Sequence, residues 1–223
     1  MPAWRPERAR PICGASSGST LARPSSVASS AGSHPGSGLD SHLHSLAAIE
    51  AALWQELANA AHDPMHGWRR QVLATTAGEG DMADARTLVL RELERDERTL
   101  LFYTDARSGK AHQVAARPLG TLVAWCPVLS WQLRLRVRLE LQTAGLAVSS
   151  RWAKLALTPA ARDYLGPAAP GTPVDPEAAA HEVGRTFFAL LSAQVLAIDW
   201  LEIGEHAHRR AAFDEAGARW LVP

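Results

Sequence analysis

Apolar residues first fall into a regular pattern at Leu43. Leu43, Leu46, Ile49, Leu53, Trp54 and Leu57 recur at spacings of three and four, which puts them on one stripe of a helix. Asp40 or Ser41 is a suitable N-cap. The helix is predicted to end before Asp63-Pro64, because the residue preceding a proline avoids the α region. Short runs follow that read as strands: Gln71–Thr76, Thr87–Leu90, Thr99–Thr104, Thr121–Trp125 and the longer Trp131–Thr143. A short helix is predicted over Ser108–Ala116, capped by Ser108 and closed by Arg117-Pro118. Two more are predicted over Arg151–Ala156 and Pro159–Leu165. Gly166–Pro176 is Pro-rich and reads as a loop. Pro176–Ser192 reads as a helix with Val183, Phe187, Leu190 and Leu191 inward. Gln194–Ile203, His208–Phe213 and Arg219–Val222 read as closing strands. Many short strands with a few helical inserts predict an α+β chain, mainly β, built on a closed or partly closed barrel.

Residues 1–40 differ from the rest. They are rich in Ser, Gly, Pro and Ala and cannot bury enough apolar surface to fold alone. They are expected to be a disordered extension, or to lie upstream of the true start, leaving residues 41–223 as a single domain. Hydrophobic residues make up 47% of the 223, enough for a substantial core. Lys plus Arg and Asp plus Glu number 23 each, and this balance argues against a general nucleic-acid binder. No apolar run reaches the ~18 residues of a membrane span. Only Cys13 and Cys126 are present, and Cys13 lies in the atypical arm; a structural disulfide is not expected, and a cytoplasmic, reducing location is. Cys126 reads as a small buried hydrophobe.

The densest chemistry lies between Arg86 and Lys110. Arg86 and Arg91 flank the first strand of this stretch, and Tyr103, Thr104, Ser108 and Lys110 follow the second. Cationic forks and ammonium groups beside neutral hydroxyl donors suit a phosphate. The start of the Ser108–Ala116 helix would add free backbone N–H groups. Arg86 and Arg91 are an odd number of residues apart, so a regular strand points them to opposite faces. Either a bulge re-aims one of them or they serve different parts of one ligand. There is no Gly-x-Gly-x-x-Gly after an early strand and no Gly-Lys-Ser/Thr loop, so a bound nucleotide must be held by side chains.

Arg86-Thr-Leu-Val-Leu-Arg91, Leu101-Phe-Tyr-Thr-Asp105 and Ser108-Gly-Lys110 together resemble the flavin-binding core of the pyridoxamine 5′-phosphate oxidase family. Ala124-Trp125-Cys-Pro127 and Trp131-Gln132-Leu133-Arg134 are similar to its next two strands. Trp200-Leu201-Glu202, His208-Arg209-Arg210, Phe213 and Trp220-Leu-Val-Pro223 are similar to its closing strands. The resemblance covers roughly residues 43–223. It implies a split barrel with FMN at the interface of a homodimer. It also implies that Arg86 and Lys110 grip the phosphate, with Ser108 or Thr104 as neutral donors and Tyr103 alongside. Arg91 would then sit nearer the isoalloxazine or substrate, Gln132 would meet the polar edge of the ring, and Arg210 would complete the site, from the partner subunit or the same one.

The implied activity is an FMN-dependent oxidoreductase in which a small substrate passes a hydride to flavin N5. Gly109 stands where the true oxidases carry a second basic residue, and Val137 where a Gly often follows the Gln strand. The family's substrate-recognising segments have no clear counterpart between Ser149 and Gly171. The alternative is therefore a flavin- or haem-binding split barrel without turnover, acting as a carrier or sensor. The pairs His42/His44 and His206/His208 share strand-like spacing, but no third ligand stands near either, and no metal is expected.

Overall fold

The computed structural model describes residues 45–76, 82–173, 187–205 and 207–223. Residues 1–40, the proposed caps Asp40 and Ser41, and His42, His44 and His206 lie outside them. The first helix, α1 (Leu46–His62), starts at Ser45, whose Oγ accepts the Ala48 N–H at 3.2 Å. It buries Ile49, Leu53, Trp54 and Leu57, the stripe predicted from spacing.

Eight strands form one antiparallel sheet: β1 (Arg70–Thr76), β2 (Ala83–Glu94), β3 (Thr99–Asp105), β4 (Leu119–Cys126), β5 (Trp131–Gln142), β6 (Phe188–Ile203), β7 (His208–Asp214) and β8 (Gly217–Leu221). Their order is β3-β2-β1-β4-β5-β6-β7-β8, and β3 also pairs with β6. That last pairing closes six strands into a barrel and leaves β7 and β8 as a flap continuing from β6. β5 shows how the sequence builds the wall. Trp131, Leu133, Leu135, Val137 and Leu139 point inward and are buried, while Gln132, Arg134, Arg136, Arg138 and Glu140 alternate outward.

The interior is one apolar cluster that includes Phe102, Leu122, Leu135 and Trp200 and joins α1 through Leu53 and Leu57. A second cluster lies outside the barrel, where α3 (Leu146–Leu155) and a 3-10 turn at Pro159–Tyr164 cover β3 and β6. It contains Leu101, Val148, Leu155, Tyr164, Phe188 and Leu190.

This second cluster explains the one element misread from sequence. The predicted helix Pro176–Ser192 is not what its end forms: Phe188–Ser192 belong to β6, and residues 174–186 lie outside the described residues. Phe188, Ala189, Leu190 and Leu191 are all buried because alternate residues face the barrel and α3. A strand covered on both sides loses its alternation, so its apolar run cannot be told from a helix by period. β2 is also longer than the predicted Thr87–Leu90, and α3 begins before Arg151.

A 3-10 turn, Gly67–Arg69, passes directly under β4. A Cβ at Gly67 would lie 2.7 Å from the Cys126 Cα, a backbone atom that cannot rotate away. Gly67→Ala is therefore expected to lower stability by about 1–3 kcal/mol, the usual range for overpacking. A reduced urea midpoint at constant slope checks this; an unchanged midpoint contradicts the close approach.

Candidate functional site

β2 carries two arginines whose surroundings differ. Arg86 is opposite Leu73, so it faces the barrel interior near the open end. The helix α2 (Gly109–Ala116) lies over that end and packs on β1 and β5. Arg86 Nη1 donates to Leu73 O at 3.3 Å and to Thr75 Oγ1 at 2.5 Å. Its Nη2 donates to Gln113 Oε1 at 2.8 Å and is ion-paired with Asp84. The first turn of α2 brings Lys110 to the same place, one turn before Gln113. Lys110 is half-buried and has no hydrogen bond or ion pair among the described residues. Burial, and next the positive charge of Arg86, hold its ammonium below the usual pKa of lysine.

Thr104 and Ser108 complete this end. Both are buried, and their hydroxyls are 3.5 Å apart, at the limit of a hydrogen bond. Ser108 precedes α2 but makes no side-chain cap, which leaves its hydroxyl for another partner. The loop between them is pinned by the buried Asp105. It accepts from the Arg107 backbone N–H at 2.7 Å and from the Arg107 guanidinium at 3.1 and 2.7 Å. The Arg107 guanidinium also lies 3.4 Å from the centre of the Phe187 ring.

Arg91 points elsewhere. The pairing of β2 with β3 slips between Leu90 and Glu92, so Arg91 is the extra residue of a bulge. Its guanidinium lies 5.5 Å from the centre of the Tyr103 ring, on the outer face. Tyr103, the neighbour of Thr104, points away from it and donates to Glu92 Oε1 at 2.9 Å. Arg151 of α3 donates to both Glu92 oxygens, at 2.9 and 2.8 Å, and so ties α3 to β2. Burial and the Glu92 carboxylate push the Tyr103 phenol up to about 12. Along β2, Arg86 and Arg91 are about 17 Å apart, at about 3.4 Å per residue, too far for one phosphate to touch both.

Gln132 and Arg210 form a third group. Trp125, Gln132, Leu201 and Arg210 pair in one row across four strands, all on the outer face. Gln132 and Arg210 are then about 10 Å apart, two strand spacings. Arg210 is held by Asp199 at 3.0 and 2.7 Å. The eight residues singled out from sequence thus fall into three groups: Arg86, Thr104, Ser108 and Lys110 at the barrel end; Arg91 and Tyr103 under α3; Gln132 and Arg210 across the sheet. Sequence reading missed Thr75, Asp84 and Gln113, which fix Arg86. The spacing of Gln113 from Lys110, three residues along one helix, was the available signal for one of them.

The lowered pKa of Lys110 implies a cost to folding. With its pKa in the folded state below the ordinary 10.5, the folded chain holds this proton less tightly than the unfolded chain. The cost is fully present below the folded pKa and disappears as pH rises toward 10.5. Lys110→Met is therefore expected to raise the melting temperature of the ligand-free protein at pH 7, with the gain shrinking at pH 10. A lower melting temperature at pH 7 would show that the charge is stabilised, not strained.

A closed antiparallel barrel with a cationic, hydroxyl-lined end is a split-barrel architecture with a place suited to an anion. Residues 50–143 match the family model described as pyridoxamine 5′-phosphate oxidase, FMN-binding domain. The pyridoxine/pyridoxamine 5′-phosphate oxidase of Chromohalobacter salexigens is 35% identical over 75 residues, 34% of this chain and 34% of that protein. Its counterpart from Thermosynechococcus vestitus is 34% identical over 88 residues, 40% of this chain and 39% of that protein. The matched stretch thus spans well under half the length of either relative.

Solved structures share the fold over more of the chain. A pyridoxamine 5′-phosphate oxidase-related FMN-binding protein from Nostoc punctiforme superposes with a TM-score of 0.60 at 23% identity, covering 78% of this chain and 96% of that one. PhzG from Burkholderia lata, solved with tetrahydrophenazine-1-carboxylic acid, gives 0.64 at 15% identity, covering 78% and 92%. No described helix is long and apolar enough to cross a membrane.

Proposed function

We propose that this chain is an FMN-dependent oxidoreductase, similar to pyridoxamine 5′-phosphate oxidase, in which the barrel end under α2 holds the FMN phosphate. One observation carries the reading: Arg86 and Lys110 lie close enough for their charges to oppose one another at the barrel end that also buries Thr104 and Ser108, and Lys110 makes no hydrogen bond or ion pair among the described residues. Two like charges held together in a half-buried place favour a dianion between them. The donor set fits a phosphate monoester: one guanidinium, one ammonium and two neutral hydroxyls.

FMN, when bound, supplies a ring that accepts a hydride from the substrate. The chain's own residues bind and orient it. Arg86 and Lys110 neutralise the phosphate, and Asp105 with Arg107 keeps the 104–108 loop in the shape that presents Thr104 and Ser108. Arg91 and Tyr103 lie on the outer face of the wall, where Glu92 and Arg151 brace them, and they support the barrel beneath α3 rather than the ligand held at its end. Gln132 and Arg210, in one outer row, serve a site shared between two copies. Trp125 is exposed in that row, and Val72, Leu119 and Leu196 are exposed elsewhere on the barrel wall; exposed apolar side chains of this kind suit a homodimer.

Purified protein incubated with FMN is expected to be yellow and to run at twice the chain mass, and to release hydrogen peroxide with pyridoxamine 5′-phosphate under air. A colourless protein that FMN does not titrate overturns the cofactor reading. Bound FMN with no turnover of pyridoxamine or pyridoxine 5′-phosphate leaves the carrier reading in its place.

A further inference from the structure

Asp84 occupies the position that a ligand anion needs. Its carboxylate is ion-paired with Arg86 Nη2 and accepts from Gln113 Nε2 at 2.8 Å. The Lys110 ammonium acts on the same carboxylate, whose pKa lies below its ordinary value chiefly through the Gln113 and Arg86 hydrogen bonds. The two cations assigned to the phosphate are therefore partly neutralised already, by a group of the chain itself.

The hydrogen-bond inventory of Arg86 sharpens the point. A guanidinium has five N–H donors. Four contacts engage its two terminal nitrogens: Leu73 O, Thr75 Oγ1, Gln113 Oε1 and Asp84. Only the Nε–H lies outside these contacts, so a phosphate oxygen gripped by a terminal nitrogen, as a two-pronged hold requires, must take that donor from one of them. Leu73 O is backbone and cannot leave. Thr75 and Gln113 are tied to each other, since Thr75 Oγ1 donates to Gln113 Oε1 at 2.6 Å. Asp84 is the group able to move, because its side chain is 49% exposed and water can receive it.

We propose that Asp84 is a built-in competitor for the phosphate, which sets how tightly this chain holds a phosphorylated ligand relative to its unphosphorylated counterpart. The proposal rests on the reading of Arg86 and Lys110 as the phosphate site. The carboxylate shields the paired cations while the site is free of ligand, and turns outward when phosphate enters. Gln113 stays in place and keeps Arg86 aimed.

The test uses the full chain stripped of flavin, titrated by fluorescence quenching with FMN and with riboflavin, which has the same ring and no phosphate. Asp84→Asn keeps the size and an acceptor for Gln113 while removing the charge. It is expected to tighten FMN by about tenfold, the scale for removing one like charge at short range in a partly solvated site, and to leave riboflavin unchanged. Asp84→Ser, smaller and also uncharged, should do the same and guards against a local effect of Asn. Equal or weaker FMN binding by both variants, with wild type still binding FMN and Arg86→Ala losing it, overturns the role of Asp84 and leaves the phosphate site standing. Failure of wild type and variants alike to bind FMN overturns both. A parallel gain for riboflavin also overturns the proposal, since it would show a general change of the pocket rather than competition with phosphate.

Discussion

A chain carrying Arg86→Ala and Lys110→Ala together is expected to purify without FMN and to bind it about 10²–10⁴ times more weakly than wild type. Charge-assisted hydrogen bonds contribute about 1.5–3 kcal/mol each, so losing one from each cation costs about 3–6 kcal/mol, and every ~1.4 kcal/mol is tenfold in affinity. Riboflavin separates this from a collapse of the pocket, because its affinity does not depend on the phosphate and should hold. The fold is expected to survive. Lys110 makes no hydrogen bond or ion pair among the described residues, and its charge is a cost to the ligand-free protein. Arg86 leaves behind Asp84, which is half-exposed and hydrates, and Thr75 and Gln113, which retain each other. Undiminished FMN binding in the double variant would place the phosphate elsewhere, and the row containing Gln132 and Arg210 would be the next region to probe.

Trp200→Ala is expected to produce the largest loss of stability among single substitutions at the barrel centre, about 3–5 kcal/mol, as for other buried large aromatics. Trp200 is fully buried on β6, the strand that pairs with β5, β3 and β7. Its ring meets Trp131 edge to face at 5.5 Å, and Trp131 meets Trp68 at 6.2 Å, so three indoles link β6, β5 and the turn before β1. At about 2–4 °C per kcal/mol for a domain of this size, the melting temperature should fall by roughly 6–20 °C. Near-ultraviolet circular dichroism should lose the signal of coupled indoles. A fall of only a degree or two would mean that the neighbours collapse into the cavity. Trp200→Phe, which keeps an aromatic ring, should recover much of the loss.

Much of this molecule follows from the order of its residues. The α1 stripe, the strict alternation of β5 and the Pro118 that closes α2 are local patterns, and local patterns are legible because period and turn chemistry act over a few residues. The resemblance in the Arg86–Lys110 stretch pointed, without any coordinates, to the family whose model residues 50–143 match. The odd spacing of Arg86 and Arg91 called for a bulge that re-aims one of them or for two ligand parts; a bulge does lie at Arg91, but it leaves that side chain on the outer face, away from Arg86.

Other features depended on contacts between distant parts of the chain. Phe188–Leu191 are strand because they pair with β3 and, at Leu190 and Leu191, with β5, and α3 covers their second face, neither of which is visible in the run itself. Tyr103 and Thr104 are neighbours in sequence but face opposite sides of the barrel wall, so only the barrel decides which of them joins Lys110. Asp84 and Gln113 lie 29 residues apart and meet at Arg86 because α2 packs on β1, the strand that pairs with β2. Composition and spacing determined which residue types were available for an anion. Closure of the barrel decided which of them converge, because side-chain direction alternates along a strand while proximity across strands is set by pairing register.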